Sequence, residues 1–422
     1  MKIWILNHYA GSVQYGMEFR HYYFAKELIK KGHEVTIFAG SYSHLRKYNP
    51  DLKEGIEEEI HEGIKYVWVP TCKYIGNGIE RIKSMVQYYF RTVRASKKFE
   101  KPDIILSSSP HPAACLAGIK IAKGLKIKNI SEVRDLWPEA FVYYKGLSSK
   151  SVVVKIMEFF EHKIYRDSDK LVFTKPGDID YLREKKWLKS AGGDVEDYKC
   201  NYVNNGVDLT AFYEQRNKFV YERIRPKRER DDLFVVSYVG TIREVNNIDM
   251  LLDAAKELKE YSNVVFRVFG DGEELDRLKK RKKDENIDNV LFYGRIDKRY
   301  VPSVLSASNI NILNYSPTMY NWSRGNSSNK LFEYMACGKP IISTVKMGYS
   351  PIIEYQCGVE IEDCNGIKLA NEIEKLIGLA QEQFDSMSKN ASDASKLFDY
   401  PKLAEKLETI IIDTINGGNK ND

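Results

Sequence analysis

The residues best placed to do chemistry lie in segment 315–340, YSPTMYNWSRGNSSNKLFEYMACGKP. Gly325-Asn326-Ser327-Ser328 is a loop of small polar residues, and a helix opens after it from Asn329 to Ala336. The first turn of a helix carries N–H groups with no intrahelical partner and the positive end of the helix dipole. Both suit a phosphate. Lys330 adds a cation at that turn, so Ser328, Asn329 and Lys330 read together as an anion site. Glu333 sits about one turn further on. It is either a first-turn acid that complements the dipole or an acceptor for a ligand hydroxyl. Gly338-Lys339-Pro340 stops the helix.

A second turn of this kind lies upstream. Tyr238-Val239-Gly240 ends a strand, Thr241-Ile242-Arg243 follows, and a helix is expected near Asn247. Gly240 lets a ligand approach the backbone, and Arg243 offers a fork-shaped donor suited to phosphate. Phe269-Gly270-Asp271-Gly272 and Gly294-Arg295-Ile296 end the next two strands, so Gly270 and Arg295 join the candidate binding positions. The DSD at 167–169 and the DID at 178–180 are spaced like metal-binding pairs, but no third ligand accompanies either. They read as solvated charge, and no metal site is expected.

The elements that must position these residues alternate strand and helix. KIWIL, EVTIF, IKYVWVP, DIILSSS, ISEVRD and KLVFT read as strands of the first half, with a helix over 18–31 ending at Lys30-Lys31-Gly32. Near-continuous apolar strands separated by helices predict parallel sheets covered on both faces. Residues 214–232, which contain RIRPKRERDD, read as a linker. The alternation then restarts with LFVVSYVG, VVFRVFGDG, VLFYGR, INILN and PIIST. The fold class is therefore α/β: two Rossmann-like, doubly wound parallel-sheet domains facing a central cleft. The first spans 1–203 with a C-terminal helix (400–422) crossing back; the second spans 204–399. In such sheets the ligand is expected beyond the carboxyl ends of the strands.

Composition narrows the class. The 422 residues are 29% charged and 43% hydrophobic, which excludes a disordered or collagen-like chain. No apolar run approaches the roughly 18 residues of a membrane span, and the opening residues Met1-Lys2-Ile3-Trp4-Ile5-Leu6 are not expected to act as a signal peptide. Six cysteines without CxxC spacing suit a reducing cytoplasm. Residues 1–200 carry 34 Lys/Arg against 25 Asp/Glu, whereas 201–422 carry 31 against 34. The first half is the basic one and is expected to meet any acidic surface.

In this order and spacing, the strand-end glycine turn, the GDG, the FYGR and the run KLFEYMACGKPII are similar to the retaining glycosyltransferases of family 4, of the two-domain GT-B fold. GSVQYGMEFRHYYFAKELIKKGHEVTIF, SEVRDLWPEAF and YVNNGVD resemble that family's N-terminal glycine loop, its "HD…PE" turn and its junction motif. The resemblance is closest to the subgroup that builds capsular or O-antigen polysaccharide. It implies that Glu333 ends an E-x7-E signature and contacts a nucleotide ribose, while the earlier glutamate falls at Gly325. The family's phosphate-binding Arg and Lys fall at Thr241 and Asn246, so Arg243 and Lys330 are expected to substitute. The family's strand-end histidine falls at Arg134, beside Asp135. His111 in SSSPHP sits at the neighbouring strand end, and Gly11 in the opening loop is expected near the diphosphate.

The implied activity is a retaining hexosyl or N-acetylhexosaminyl transfer from a nucleoside-diphosphate sugar, a UDP-sugar, to a lipid-linked glycan, with no metal cofactor. His111, Arg134, Asp135, Arg243 and Lys330 are the expected catalytic set. Two rivals stand beside it: a nucleotide-sugar epimerase of the same fold, using His111, Asp135 and Glu139, and a non-catalytic partner subunit. Residues 79–101 carry seven basic and two acidic residues, and Ile82, Val86, Tyr89 and Val93 recur at helical spacing. That stripe faces either the core or an anionic membrane from the cytoplasmic side. No nucleic-acid motif accompanies the charge.

Overall fold

The computed structural model describes residues 1–417 except 17, 18, 53, 54, 77, 110 and 225–232. The chain forms two compact units, Met1–Asn204 with the segment from Tyr400 onward, and Asn205–Asp399.

The first unit is built on eight strands: β1 (Lys2–Leu6), β2 (Glu34–Gly40), β3 (Glu57–His61), β4 (Ile64–Val69), β5 (Ile104–Ser109), β6 (Lys128–Val133), β7 (Lys170–Phe173) and β8 (Cys200–Tyr202). Their order is β3-β4-β2-β1-β5-β6-β7-β8, parallel except for the antiparallel β3–β4 pair. The expectation of an all-parallel sheet is thus corrected at one edge. EEEIH has too few apolar residues to announce a strand, yet it hydrogen-bonds along β4. Helices α1 (Arg20–Lys30), α2 (Ile79–Ala95), α3 (Pro112–Leu125), α4 (Trp137–Lys145), α5 (Val152–Asp167), α6 (Asp178–Glu184) and α15 (Tyr400–Ile415) cover the sheet.

Strand side chains alternate faces with period two, and the core follows that rule. Ile3 and Ile5 of β1 pack with Phe24 and Leu28 of α1 and with Leu403, Leu407 and Ile411 of α15. Trp4 and Leu6 point the other way, into a cluster with Tyr88 of α2 and Ala114 and Ala117 of α3. A further cluster joins α3 to Ile164 and Tyr165 of α5. One face of the sheet therefore carries α2, α3 and α5, with α3 touching both neighbours.

The second unit has six parallel strands, β9 (Phe234–Val239), β10 (Val264–Phe269), β11 (Val290–Gly294), β12 (Ile310–Leu313), β13 (Ile341–Ser343) and β14 (Gly358–Glu360), in the order β11-β10-β9-β12-β13-β14. Its helices are α7 (Leu209–Lys218), α8 (Ile248–Glu257), α9 (Leu275–Asp284), α10 (Val301–Ser306), α11 (Asn329–Ala336), α12 (Pro351–Glu354), α13 (Gly366–Ile377) and α14 (Gln381–Ser395). The expected linker over 214–232 is corrected at its start. Asp208 caps α7 by accepting from the Ala211 N–H at 2.9 Å, and the helix runs to Lys218. Residues 225–232 of that linker lie outside the described residues, as does Glu18 at the start of the helix expected over 18–31 and the tail beyond 417.

Both sheets reverse direction beside their first strand. In the first unit β2 lies on one side of β1 and β5 on the other; in the second, β10 and β12 flank β9. The loops leaving those strands diverge to opposite faces, which opens a crevice at the strand ends of each sheet.

Candidate functional site

In the second unit the loops after β9 and β12 meet at the switch point. Asn314 Nδ2 donates to the carbonyls of Asn246 and Asn247, both at 2.6 Å, and the Ser316 N–H donates to Val245 O at 2.8 Å. Helix α11 is fixed to the same point, because the Val239 N–H donates to the buried Tyr334 hydroxyl at 3.0 Å. The glycine turns follow one another across the strand ends. The Gly240 N–H donates to Phe269 O at 3.0 Å, and the Gly270 N–H to Gly294 O at 2.8 Å. Gly270 has φ +151°, and a Cβ there would lie 1.8 Å from Gly240 O, so only glycine allows this approach.

Lys330 extends into this corner. Its Nζ lies 4.5 Å from the Tyr315 ring centroid and 5.1 Å from that of Tyr238, and it donates to the Tyr238 hydroxyl at 3.4 Å. With the Asn246 carboxamide nitrogen turned to Thr241, Asn246 Oδ1 accepts from Lys330 Nζ at 3.1 Å. Gly240 is next to it: a Cβ there would meet Lys330 Cδ at 2.9 Å. The ammonium is thus held by two ring faces and a carboxamide, none of which neutralises it. Ser328 N-caps α11 in extended backbone, and its hydroxyl accepts from the Tyr315 hydroxyl at 2.8 Å. Gly240, Ser328, Asn329 and Lys330 are therefore brought together with Tyr238, Tyr315 and Asn246, three residues the sequence reading did not assign to the site. Their signal was positional, since each lies within a few residues of a strand end that the sequence marks.

Glu333 forms an ion pair with Lys298, in the 3-10 turn Lys298–Tyr300 that follows β11. Lys298 was also missed; in the sequence it is one cation of a polar IDKRY run. Arg243 and Arg295 are exposed in the turns after β9 and β11, and Gly270 ends β10. Gly325, where the family signature has glutamate, is buried with φ +93°. A residue with a Cβ is strained in that conformation, so the loop is shaped for glycine.

In the first unit the switch point holds two histidines. His8 Nδ1 and His111 Nε2 share a hydrogen bond at 2.7 Å, and the His8 ring stacks on Tyr88 with centroids 4.6 Å apart. Both rings are fully buried. Burial, helped by nearby Arg81, lowers the His111 pKa to about 3 and takes His8 well below the usual histidine range, so the pair is neutral. The His111 ring is buried, and its Nδ1 has no hydrogen-bond partner among the described residues. His8, which follows β1 directly, was not singled out.

Arg134 and Asp135 follow β6. Asp135 is exposed at a small recess lined by Ser109, Val133, Trp137, Met157 and Glu161. Behind them, the buried Glu132 accepts from Arg20 Nε at 2.7 Å, His21 Nε2 at 2.8 Å and Ser108 Oγ at 2.7 Å. Burial opposes its ionisation, but Arg20 and His21 outweigh that and hold its pKa well below the usual carboxylate range. Glu161 shows the reverse: burial pushes it up to about 8, and Tyr165 and Tyr181 hydroxyls donate to it at 2.8 and 2.7 Å. Gly11 is buried in the loop after β1, where its carbonyl accepts from Tyr66 Oη at 3.1 Å.

The aspartate pairs split. Asp167 lies among Lys123, Lys163 and Arg166, and Asp169 pairs with Lys128 at 2.9 Å. Asp178, read from the sequence as solvated, is instead buried 3.3 Å from Lys175, and burial pushes it up to about 7. No group of three or more His, Cys, Asp or Glu side chains that could hold a metal occurs among the described residues.

Two doubly wound units, each with loops gathered at its switch point, define the GT-B class of α/β proteins. Known proteins agree. Residues 15–211 match the model for Glycosyltransferase Family 4, and residues 220–394 match Glycosyl transferases group 1. The chain thus has the GT-B fold, and each unit matches a glycosyltransferase family model. It is similar to the protein of Acholeplasma laidlawii named alpha-monoglucosyldiacylglycerol synthase (26% identity, over 88% of this chain and 93% of the relative). It is also similar to the Bacillus subtilis protein TuaH, named as a teichuronic acid biosynthesis glycosyltransferase (26% identity, over 62% of each). The solved structure of HepE from Anabaena in complex with UDP shares the fold, with TM-score 0.67 and 15% identity over 98% of this chain and 100% of that one. The chain spans 57 to 63% of the length of the first three curated relatives.

Proposed function

We propose that this protein transfers a sugar from a nucleoside-diphosphate sugar, a UDP-sugar, with retention at the anomeric carbon, onto a lipid-linked glycan in surface polysaccharide synthesis. The observation that carries the reading is Lys330. Among the described residues it is a cation without a carboxylate partner, at the first turn of α11, beside Gly240 and at the switch point of the second sheet. The bond from the anomeric carbon to the diphosphate oxygen breaks as negative charge grows on the leaving group. Preorganised cations and amides that meet this charge lower the barrier. Lys330, the amides around Ser328 and Arg243 are assigned that role, with Gly270 and Arg295 lining the site and Glu333 accepting from ribose hydroxyls. The acceptor oxygen bonds to the anomeric carbon on the same face, and its proton passes to the released diphosphate. Arg134, Asp135 and Gly11 are assigned to the sugar and acceptor side.

The UDP bound in HepE supports the choice of base, and the names of the Acholeplasma and Bacillus relatives support a lipid or surface-glycan acceptor. Membrane contact is assigned to residues 79–101. The stripe weighed above divides: Ile82 and Val86 are exposed, whereas Tyr89 and Val93 pack partly buried against the core beside Met85, Tyr88, Thr92 and Ala95. No described helix is long and apolar enough to cross a membrane. Incubation with radiolabelled nucleotide sugars, with and without membrane lipid acceptor, tests the proposal. Label transferred to lipid with release of UDP supports it. Interconversion of the sugar alone would make the protein an epimerase, and neither binding nor turnover would make it a partner subunit.

A further inference from the structure

Of the 24 large hydrophobic side chains exposed among the described residues, 12 fall in two short stretches of the first unit, 75–90 and 143–160. The first is the α2 stripe already assigned to the membrane. The second belongs to α4 and α5, which no reading of the sequence singled out. Val152, Val153, Ile156, Phe159 and Phe160 are exposed, Val152 at 74% and Phe159 at 64%. At about 100° per residue these five span one stripe roughly 120° wide, opposite the core positions Val154, Glu161 and Tyr165 and bordered beside Val153 by the buried Ile164. Tyr143 and Tyr144 of α4 extend it.

We infer that α4 and α5 form a second lipid-docking wing of the first unit, which seats with α2 on an anionic bilayer. Three observations support this. Both wings lie on the same face of the sheet, because α3 packs against α2 on one side and α5 on the other. The outer surface of α3 between them carries exposed Lys120 and Lys123, the latter paired with Asp167 at 3.2 Å. Both apolar stripes have basic neighbours: Lys83 and Arg94 beside Ile82, Val86 and Phe90, and Lys150 beside the α5 stripe, together with Lys155 and Arg166, which pair with Glu158 and Asp167. Residues 143–167 contain five Lys/Arg and three Asp/Glu, of which Glu161 is buried. An apolar stripe edged by cations complements acyl chains beneath anionic headgroups. A second copy of the same face would set like charges against each other across an isologous interface. The wing holds by its structure: Ser151 caps α5 by accepting from the Val154 N–H at 3.3 Å, and the inner face is anchored in the core.

The inference builds on the membrane part of the proposed function and is independent of glycosyl transfer. Co-sedimentation of the full chain with phosphatidylcholine vesicles, with and without phosphatidylglycerol, tests it. The expected result is binding to the anionic vesicles, reduced about tenfold or more in the double variant I156E/F159E. UDP affinity and the melting temperature of that variant should stay at the parent's values, which separates loss of docking from loss of folding or of the nucleotide site. In F159W, added tryptophan emission should shift to the blue on anionic vesicles. Equal vesicle binding by parent and I156E/F159E, no blue shift in F159W, or a concentration-dependent dimer that the double variant abolishes while neither protein binds vesicles, would each overturn it.

Discussion

At the scale of single residues, the donor site depends on a cation left available for a ligand. Lys330 is held by Tyr238, Tyr315 and Asn246, groups that orient an ammonium without discharging it. Glu333 differs, because Lys298 already occupies one of its oxygens. Glu333→Gln removes a charged acceptor worth about 1.5–3 kcal/mol, so UDP and uridine should both bind at least tenfold more weakly. Titration calorimetry with both ligands checks this, and a loss confined to UDP would place Glu333 at the phosphates instead. Gly325→Glu, which writes the family's missing glutamate back into the sequence, should not add activity. It forces a side chain into φ +93° and should cost about 1–3 kcal/mol of stability, read by denaturant unfolding. Lys330, Glu333 and Gly240 were legible in the sequence because helix starts and glycine turns have local signatures. Tyr238, Tyr315, Lys298 and His8 were not, because their roles arise from contacts between segments far apart in the chain.

At the scale of elements, the first unit buries titratable groups in two opposite ways, Glu161 on α5 and His8 and His111 after β1 and β5, with opposite pH consequences. Glu161 has its pKa raised by burial to about 8, above its unfolded value near 4.5. The folded state then binds this proton more tightly, so the stability it contributes is complete below pH 4.5 and is lost as pH rises through 8. Glu161→Gln keeps acceptor capacity for Tyr165 and Tyr181 and should flatten that decline, raising the melting temperature at pH 9 by about 5 °C or more relative to the parent. His8 and His111 have depressed pKa values, so their contribution is present above pH 6.5 and lost as pH falls toward 3. Melting temperatures across pH 4–9 should therefore fall on both sides for the parent, and in Glu161→Gln the fall with rising pH should shrink to the part that buried Asp178, raised to about 7, contributes. The core strands of both sheets were readable as apolar runs. β3, β8 and β14 were not, since two are three residues long and β3 is an exposed, acidic edge. The α2 stripe was seen, but its direction depends on which neighbour covers the other face, and periodicity alone does not tell.

At the scale of the whole molecule, the charge asymmetry of the sequence acquires a location. The basic excess of residues 1–200 includes the cations around α2, α3 and α5, on the sheet face that carries half of the exposed large hydrophobic side chains. In the second unit the functional charge is confined to a few side chains at strand ends. The central claim is that this second switch point binds the diphosphate of a nucleotide sugar through Lys330. The most direct test is calorimetric titration of UDP into the parent and Lys330→Ala. The account predicts that the parent binds and that the variant loses at least tenfold in affinity, while transfer falls by about 10²–10³ because the lost cation counts most in the transition state. UDP affinity in Lys330→Ala equal to the parent's would contradict it.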